Sequence, residues 1–127
     1  MFGLFGRLRS RSGIRGQCVV RLYDEAGNLK EERVIRNLIV NNGKYGITDQ
    51  LLASPTIGKP THMGIGTGAT APQATDTALQ TEVGTRVSVT KSRNNNVLTL
   101  EGTFGAGNGT GAIAEAGIFN QSTGGTL

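Results

Sequence analysis

The sequence predicts a mainly β fold: a β-sandwich or barrel-like body with one or two short helices and an extended N-terminal arm. Short segments alternate apolar and polar residues with a period of two, as half-buried strands do. The 20 glycines are spread through turns and do not follow a collagen period. Tryptophan is absent and aromatic residues make up only 5%, so Val, Ile and Leu must supply most of the core, while abundant threonine favours strands.

Charge is unevenly distributed along the chain. Four arginines within the first 15 residues account for the net charge of +4, because the other nine basic residues balance the nine acidic ones. We therefore divide the chain into an arm, residues 1–16, and a neutral β-rich body, residues 17–127. The arm mixes apolar and cationic side chains, and its candidate docking residues are Phe2, Leu4, Phe5, Arg7, Leu8, Arg9, Arg11 and Arg15.

Glycine and serine within the arm disfavour a stable isolated helix. We interpret it as a docking arm, in which Phe and Leu enter grooves on a partner and Arg pairs with carboxylates. A nucleic-acid arm, an interfacial membrane anchor and a frayed terminus without a role are the alternatives.

Residues 17–24 and 29–36 are predicted to form a β-hairpin, with Gly27 supplying the positive φ of its turn. Charged residues in the second strand predict one solvated face or edge, which opposes aggregation. The single cysteine, Cys18, excludes an internal disulfide and is expected to be a buried, inert thiol. One face of the first strand carries Cys18, Val20 and Leu22, and the other carries Val19, Arg21 and Tyr23.

A helix is predicted over residues 44–53, where Gly46 weakens it, followed by a loop over 54–60. Its apolar residues near helical spacing are Tyr45, Ile47, Leu51 and Leu52.

Residues 61–86 are the stretch around which the chain is organised. A strand is predicted over 61–65, then a glycine turn, then a helix capped by Thr75 or Asp76 that ends at Val83. Glycines here let the backbone turn sharply or let another chain approach closely. The candidate self-association loop consists of Gly64, Gly66, Gly68 and Pro72.

The last third of the sequence predicts a second hairpin and a further strand. The predicted segments are strands over 86–93, 97–104 and 112–120, an asparagine turn over 94–96, a flexible loop over 105–111 and a turn over 121–125. A strand followed by Ser-Thr-Gly-Gly normally leads into a partner strand. The sequence leaves three alternatives for the edge of the sheet beside this strand: the edge stays open, another chain pairs with it, or the sequence continues into a partner strand.

No catalytic cluster is evident, so we expect neither an enzyme nor a cofactor or metal site. The lone His62 favours a structural role. Glu115 lies in an apolar stretch and is hypothesised to pair with Arg86. The motif Gly64-x-Gly66-x-x-Ala69 resembles a dinucleotide fingerprint, but Pro72 follows where a helix should begin. No apolar run spans a bilayer and the start lacks a secretory core, which predicts a protein made inside the cell.

Several short segments of the sequence, and the order in which they occur, resemble a widespread group of tailed-bacteriophage virion structural proteins, which are described as capsid decoration (cement) or fibre-like proteins. The resemblance covers residues 18–127. The phrases are 20–28 (VRLYDEAGN), 37–44 (NLIVNNGK), 63–72 (MGIGTGATAP), 76–82 (DTALQTE), 115–120 (EAGIFN) and the Gly-Gly pair at 124–125.

The resemblance implies a β-sandwich or barrel-like body and a homo-oligomer on the virion, which is made in the host cytoplasm. A decoration protein would lie on the outer surface of the capsid, bind the major capsid protein and stabilise the shell, and a trimer is expected at three-fold positions. We expect neither a nucleic-acid nor a membrane partner. A tail, neck or fibre component, a small nucleic-acid-binding module using the arginine-rich arm and, less favoured, a carbohydrate-binding sandwich are the alternatives.

Overall fold

A computed structural model describes residues 13–127 of the chain. Seven strands and one short helix lie in this part, and the strands form three antiparallel sheets of two, three and two strands. The predicted mainly β fold is therefore confirmed, although no closed barrel forms within residues 13–127. The chain divides into two compact units after Ile39. The strands of the first hairpin pair with each other in a sheet of their own. The predicted division into an arm and a body at residue 17 stays a prediction.

The first unit contains the predicted hairpin, which is confirmed. Its strands are β1 (Gly16–Tyr23) and β2 (Leu29–Asn37). The Asp24 carboxylate closes the turn by accepting hydrogen bonds from the backbone N–H of Asn28 at 2.8 Å and from its side-chain amide at 3.1 Å. Gly27 has a φ of 84°, in the left-handed region that glycine adopts freely. Local turn chemistry therefore fixes this hairpin.

The second unit, residues 40–127, contains one helix and five strands. A central strand, β3, lies between β4 and β7, and β5 pairs with β6 in a separate hairpin. The strands predicted over 61–65 and 112–120 are confirmed, the second of them shortened. In chain order the elements are α1 (Asn41–Asp49), β3 (His62–Gly66), β4 (Glu82–Ser88), β5 (Thr90–Asn94), β6 (Val97–Glu101) and β7 (Glu115–Phe119).

The strand predicted over 86–93 is divided between two sheets. Its start belongs to β4 and its end to β5, with Val89 between them. The Val89 N–H donates to the carbonyl of Thr61 at 2.9 Å, which holds the crossing point against the start of β3. The asparagine turn of the second hairpin is confirmed, since Asn95 has a φ of 51°.

A bulge interrupts the pairing of β3 with β4. Met63 lies opposite Val87, but Ile65 lies opposite Val83, so β4 carries two extra residues. Gly84 has a φ of 70° there. The Asn108 side chain satisfies the neighbouring backbone: its Oδ1 accepts from the Thr85 N–H at 2.7 Å, and its Nδ2 donates to the Thr85 carbonyl at 2.9 Å. The predicted loop over 105–111 thus anchors the bulge.

Helix α1 begins three residues before the predicted start at residue 44 and ends four before the predicted end at residue 53. The early end has an electrostatic cause. The Asp49 carboxylate, which is buried, accepts hydrogen bonds from the backbone N–H groups of Thr56 at 2.9 Å and Ile57 at 2.8 Å. These bonds turn the chain back, so that the predicted apolar helix residues Leu51 and Leu52 lie beyond the helix.

Substitution Gly46→Ala is expected to raise the free energy of unfolding by about 0.5 to 1 kcal/mol, because glycine weakens a helix interior by that amount relative to alanine. A Cβ there would lie 3.6 Å from Ile57 Cγ2, an ordinary contact. Urea denaturation measures the change. Gly27→Ala is the control that should lose stability, owing to its positive φ. An unchanged or lower value for Gly46→Ala would refute the prediction.

The prediction of a helix that ends at Val83 is wrong. Residues 75–81 are irregular and β4 begins at Glu82. The Asp76 carboxylate accepts from the Gln73 N–H at 2.8 Å, which closes a turn behind it and does not cap a helix ahead of it. The N–H groups of Gln80 and Thr81 donate to a carboxylate on β7 instead of to helical carbonyls.

Few apolar side chains are fully covered within residues 13–127. In this part of the chain the buried hydrophobic residues are Val40 and Phe119, at 6% and 1% exposure. Fifteen large apolar residues are exposed, on both hairpins, on α1 and in the connecting segments. The chain by itself therefore leaves much apolar surface in contact with water.

Candidate assembly interface

The glycines of the candidate self-association loop are covered by side chains of the same chain. Gly64 and Gly66 lie buried in β3, at the centre of the three-stranded sheet. A Cβ on Gly64 would lie 2.7 Å from Glu82 Oε1 and 3.0 Å from Phe119 Cε2. Their small size serves close packing within the sheet, so these two glycines do not offer a surface to another chain.

Gly68 and Pro72 lie beyond the end of β3. Gly68 is half-buried, and its N–H donates to the Glu115 carboxylate at 3.1 Å. Pro72 is exposed. Of the four loop residues, the surface around Pro72 therefore remains open to a neighbour, and self-association there stays a prediction.

Glu115 holds together three segments that are far apart in sequence. Its Oε1 accepts from the N–H groups of Gly68 at 3.1 Å and Thr81 at 2.7 Å, and its Oε2 accepts from the N–H of Gln80 at 2.8 Å. The predicted pairing of Glu115 with Arg86 is wrong, because backbone donors already surround the carboxylate. Its role is nevertheless structural, because its three hydrogen bonds join separate segments of the fold.

Arg86 pairs instead with Glu82 on the same strand. Its Nε and Nη2 bind the two carboxylate oxygens at 2.6 and 2.9 Å, in a bidentate geometry. Its Nη1 donates to the carbonyls of Gln121 at 3.1 Å and Gly124 at 2.6 Å. The guanidinium carbon lies 3.4 Å from the centroid of the Phe119 ring. The buried side chain of Arg86 thus connects β4 with β7 and with the turn over 121–125 that follows β7.

The hydrogen bonds from Arg86, reinforced by its charge, hold the pKa of Glu82 below the ordinary value, against the opposing effect of partial burial. A carboxylate with a lowered folded-state pKa stabilises the fold above its unfolded-state pKa of about 4.3, and this contribution is lost as the pH falls through the folded-state value. Hydrogen bonds from Asn28 likewise lower the pKa of Asp24.

We expect the stability difference between the parent chain and the Glu82→Gln variant to shrink as the pH falls from about 6 to about 3. Thermal unfolding across this range measures it. Asp24 titrates in both proteins, so its contribution cancels in the difference. A difference that stays constant over the whole range would contradict the role assigned to the ionised Glu82.

His62 lies on β3 with neutral neighbours. Its Nδ1 is 2.9 Å from Thr61 Oγ1 and its Nε2 is 3.5 Å from Ser88 Oγ. Within residues 13–127 no group of three or more His, Cys, Asp or Glu residues is placed to hold a metal ion. The glycine motif that begins at Gly64 continues from β3 into irregular structure, and no helix N-terminus follows it there.

The candidate docking residues of the arm from Phe2 to Arg11 lie outside the described residues. Arg15 is described and is exposed just before β1. No helix in the described part of the chain has both the length and the apolar character needed to cross a bilayer.

The β1–β2 hairpin carries exposed apolar side chains on both of its faces, a feature that the sequence interpretation missed. Residues directly opposite in the register share a face. We call the face with the Cys18–Ile35 pair face 1, and the face with the Val19–Val34 pair face 2. Face 1 contains Cys18, Val20, Leu22 and Ile35, and face 2 contains Val19, Tyr23, Leu29 and Val34.

The prediction was one solvated face or edge, and the structure exposes both faces of this two-stranded sheet. The charges of β2 are distributed over both faces and pair locally: Arg21 Nε lies 2.7 Å from Glu32 Oε2, and Arg33 pairs with Glu31. Apolar residues occur at both odd and even positions between residues 17 and 23. Because successive side chains of a strand point to opposite faces, the sequence already placed apolar residues on both faces. Cys18 is half-buried, and burial raises the pKa of its thiol, in keeping with the predicted inert cysteine.

Comparisons of the chain with protein-family models, with curated proteins and with solved structures gave no match.

Proposed function

We propose that this chain is a non-enzymatic capsid decoration protein of a tailed bacteriophage. Its β-rich body assembles with copies of itself, with a trimer expected, and its arm binds the major capsid protein on the outer face of the shell. By contacting neighbouring capsid subunits, the bound protein stabilises the shell against separation of those subunits.

The observation that carries this proposal is the amount of apolar surface left uncovered. Side chains of the β1–β2 hairpin, of α1 and of β6 are exposed, while the fully covered apolar residues of the described chain are Val40 and Phe119. Burial of apolar area is worth about 25 cal/mol per Å², so such a chain gains further hydrophobic stabilisation when other chains cover it. A subunit of a large assembly obtains this additional stabilisation.

The resemblance and the position of the net charge in the sequence support a role on the capsid. The resemblance to phage virion proteins covers residues 18–127, and the net charge lies in the arm. An extended arm with apolar and cationic side chains suits attachment to an acidic protein surface, because it adds contacts without adding folded mass.

Binding to purified capsid shells that lack decoration tests the proposal. The full chain should saturate the shells and raise the temperature at which they open, whereas a chain without residues 1–15 should bind at least tenfold more weakly. A variant with all four arm arginines changed to lysine keeps the charge, and separates a need for charge from a need for bidentate pairing. Full occupancy by the truncated chain would contradict the docking role of the arm.

A tail, neck or fibre location is the alternative within the virion. The four arginines within the first 15 residues favour one further candidate, a nucleic-acid-binding module. A gel shift that weakens steeply with salt would support that candidate, and the lack of any shift at low salt would eliminate it.

A further inference from the structure

We propose that the free edge of β5 binds an extended acidic segment of another protein, which joins the β5–β6 hairpin as a third strand. Two carboxylates of that segment, two residues apart, pair with Lys91 and Arg93. The inference goes beyond the proposed function, because it defines the chemistry of a bound segment and does not depend on which protein carries that segment.

One face of the β5–β6 hairpin carries positive charge and no acidic residue. The register places Lys91 opposite Leu100 and Arg93 opposite Leu98, so these four side chains share a face, which we call the basic face. Glu101, the one acidic residue of the two strands, lies on the other face. Because its charges are not balanced, the basic face selects an anionic partner.

Both cations of the basic face are available to a partner. Lys91 and Arg93 are exposed, and neither forms an ion pair with a carboxylate of residues 13–127, whereas three other arginines in that range do. Arg93 donates from Nη1 to the Asn95 carbonyl at 2.7 Å, and its remaining guanidinium N–H groups have no partner in this part of the chain. These groups are free to form charge-assisted hydrogen bonds with a carboxylate.

The backbone beside these cations is also open to a strand. Within residues 13–127, β5 pairs with β6 alone, so its other edge presents N–H and C=O groups that no strand covers. An added segment uses such groups for main-chain hydrogen bonds, and its side chains lie beside those of β5 on the same face. Alternate residues of a strand are about 6.6 Å apart, so carboxylates at positions i and i+2 meet Lys91 and Arg93 together.

The sequence indicates that the acidic segment belongs to another protein. The chain contains nine acidic residues, and no two of them are two positions apart. A second copy therefore has no single strand that supplies the required pair. Nucleic acid is disfavoured because residues 90–101 contain no aromatic side chain on which bases stack, and an anionic membrane because two cations alone hold a lipid surface weakly.

A peptide titration of the full chain, followed by NMR of its backbone amides, tests the site. The probe is Thr-Val-Glu-Val-Glu-Val-Thr, blocked at both ends, which places both carboxylates on one face of a strand. Its isomer Thr-Val-Val-Glu-Glu-Val-Thr has the same charge and composition but places them on opposite faces. The first peptide is expected to shift the resonances of β5 and to bind about fivefold more tightly than the second, the effect of one cross-strand charge pair.

Two doubly substituted chains locate the contact. Lys91→Glu with Arg93→Glu reverses the charge of the basic face. Lys44→Glu with Lys59→Glu is the matched control, because both lysines are exposed in the same unit and the net charge changes equally. Binding of the first peptide should be lost in the former chain and retained in the latter. Circular dichroism verifies that both are folded, and the comparison of the two peptides on the parent chain needs no variant.

Several results would overturn the site: no binding of the first peptide, equal affinity for the two peptides, shifts confined to residues outside the β5–β6 hairpin, or equal loss in both doubly substituted chains. Tighter binding of oligothymidylate, or of vesicles that contain phosphatidylserine, at the same amides would also overturn it. A chain that binds the peptide at β5 but does not bind capsid shells would refute the capsid proposal and leave this site in place. A chain that saturates shells but does not bind the peptide would do the reverse.

Discussion

Substitution Arg86→Ala is expected to lower the free energy of unfolding of the second unit by about 2 to 3 kcal/mol, less than for a fully buried ion pair because the Glu82 side chain is 31% exposed. The Arg86 side chain is 8% exposed and makes four hydrogen bonds in addition to its contact with the Phe119 ring. Its removal leaves the Glu82 carboxylate without its partner and two turn carbonyls without donors. Chemical denaturation of the full chain, followed by circular dichroism, measures the loss.

Arg93→Ala is the matched control for this substitution. Arg93 lies on β5, is exposed, and donates a hydrogen bond to the carbonyl of Asn95 within its own hairpin, so its loss is expected to cost less than about 1 kcal/mol. Arg86→Lys should fall between the two, because lysine keeps the charge but cannot reproduce the bidentate geometry. Equal losses for Arg86→Ala and Arg93→Ala would show that Arg86 does not fasten the sheet.

Substitution Gly66→Ala should lower the free energy of unfolding by about 3 kcal/mol, at the upper end of the usual cost of overpacking a filled interior. A Cβ at this position would collide with the backbone carbonyl oxygen of Thr81 and with the Glu115 carboxylate. The carbonyl belongs to the chain entering β4 and cannot rotate away, and displacing Glu115 breaks its bonds to three N–H groups.

Gly105→Ala provides the comparison, because no atom lies within 4 Å of a Cβ at that position and its φ is ordinary. It is expected to be neutral or to stabilise by up to about 1 kcal/mol, through the reduced entropy of the unfolded chain. Thermal unfolding of both variants under one set of conditions measures the difference. A Gly66→Ala variant as stable as Gly105→Ala would show that the centre of the sheet is not closely packed.

Elements fixed by local chemistry could be predicted from the sequence. The first hairpin follows from alternation on both sides of a turn that contains Gly27, and the second from the asparagine run around Asn95. In both cases the residues that determine the structure lie next to one another in the chain.

Elements fixed by distant residues could not be predicted. The helix expected over residues 75–83 has reasonable helical spacing, but Glu115, 34 and 35 residues further along, takes up the N–H groups of Thr81 and Gln80. Arg86 has a partner four residues away because the bulge at Gly84 shortens the strand between them, whereas four residues of regular strand span about 13 Å. Neither effect leaves a periodic pattern in the sequence.

Self-association around Pro72 stays a prediction, but two of the glycines assigned to that loop have a role within the sheet. Glycines suggested close approach by another chain, but Gly64 and Gly66 admit side chains of their own sheet. Exposed apolar side chains also occur on the β1–β2 hairpin, where residues at consecutive positions such as Val19 and Val20 must face opposite ways. The alternation in the sequence places apolar residues on both faces of this strand, and the structure shows that both faces are exposed.

The central claim is the proposed decoration role, and the copy number and location of the chain in purified phage particles test it most directly. Gold labelling and electron microscopy of purified particles, combined with quantitative mass spectrometry, would give both. The decoration role predicts hundreds of copies distributed over the head. Label confined to the tail or neck, a few copies per particle, or absence from the particle would contradict it.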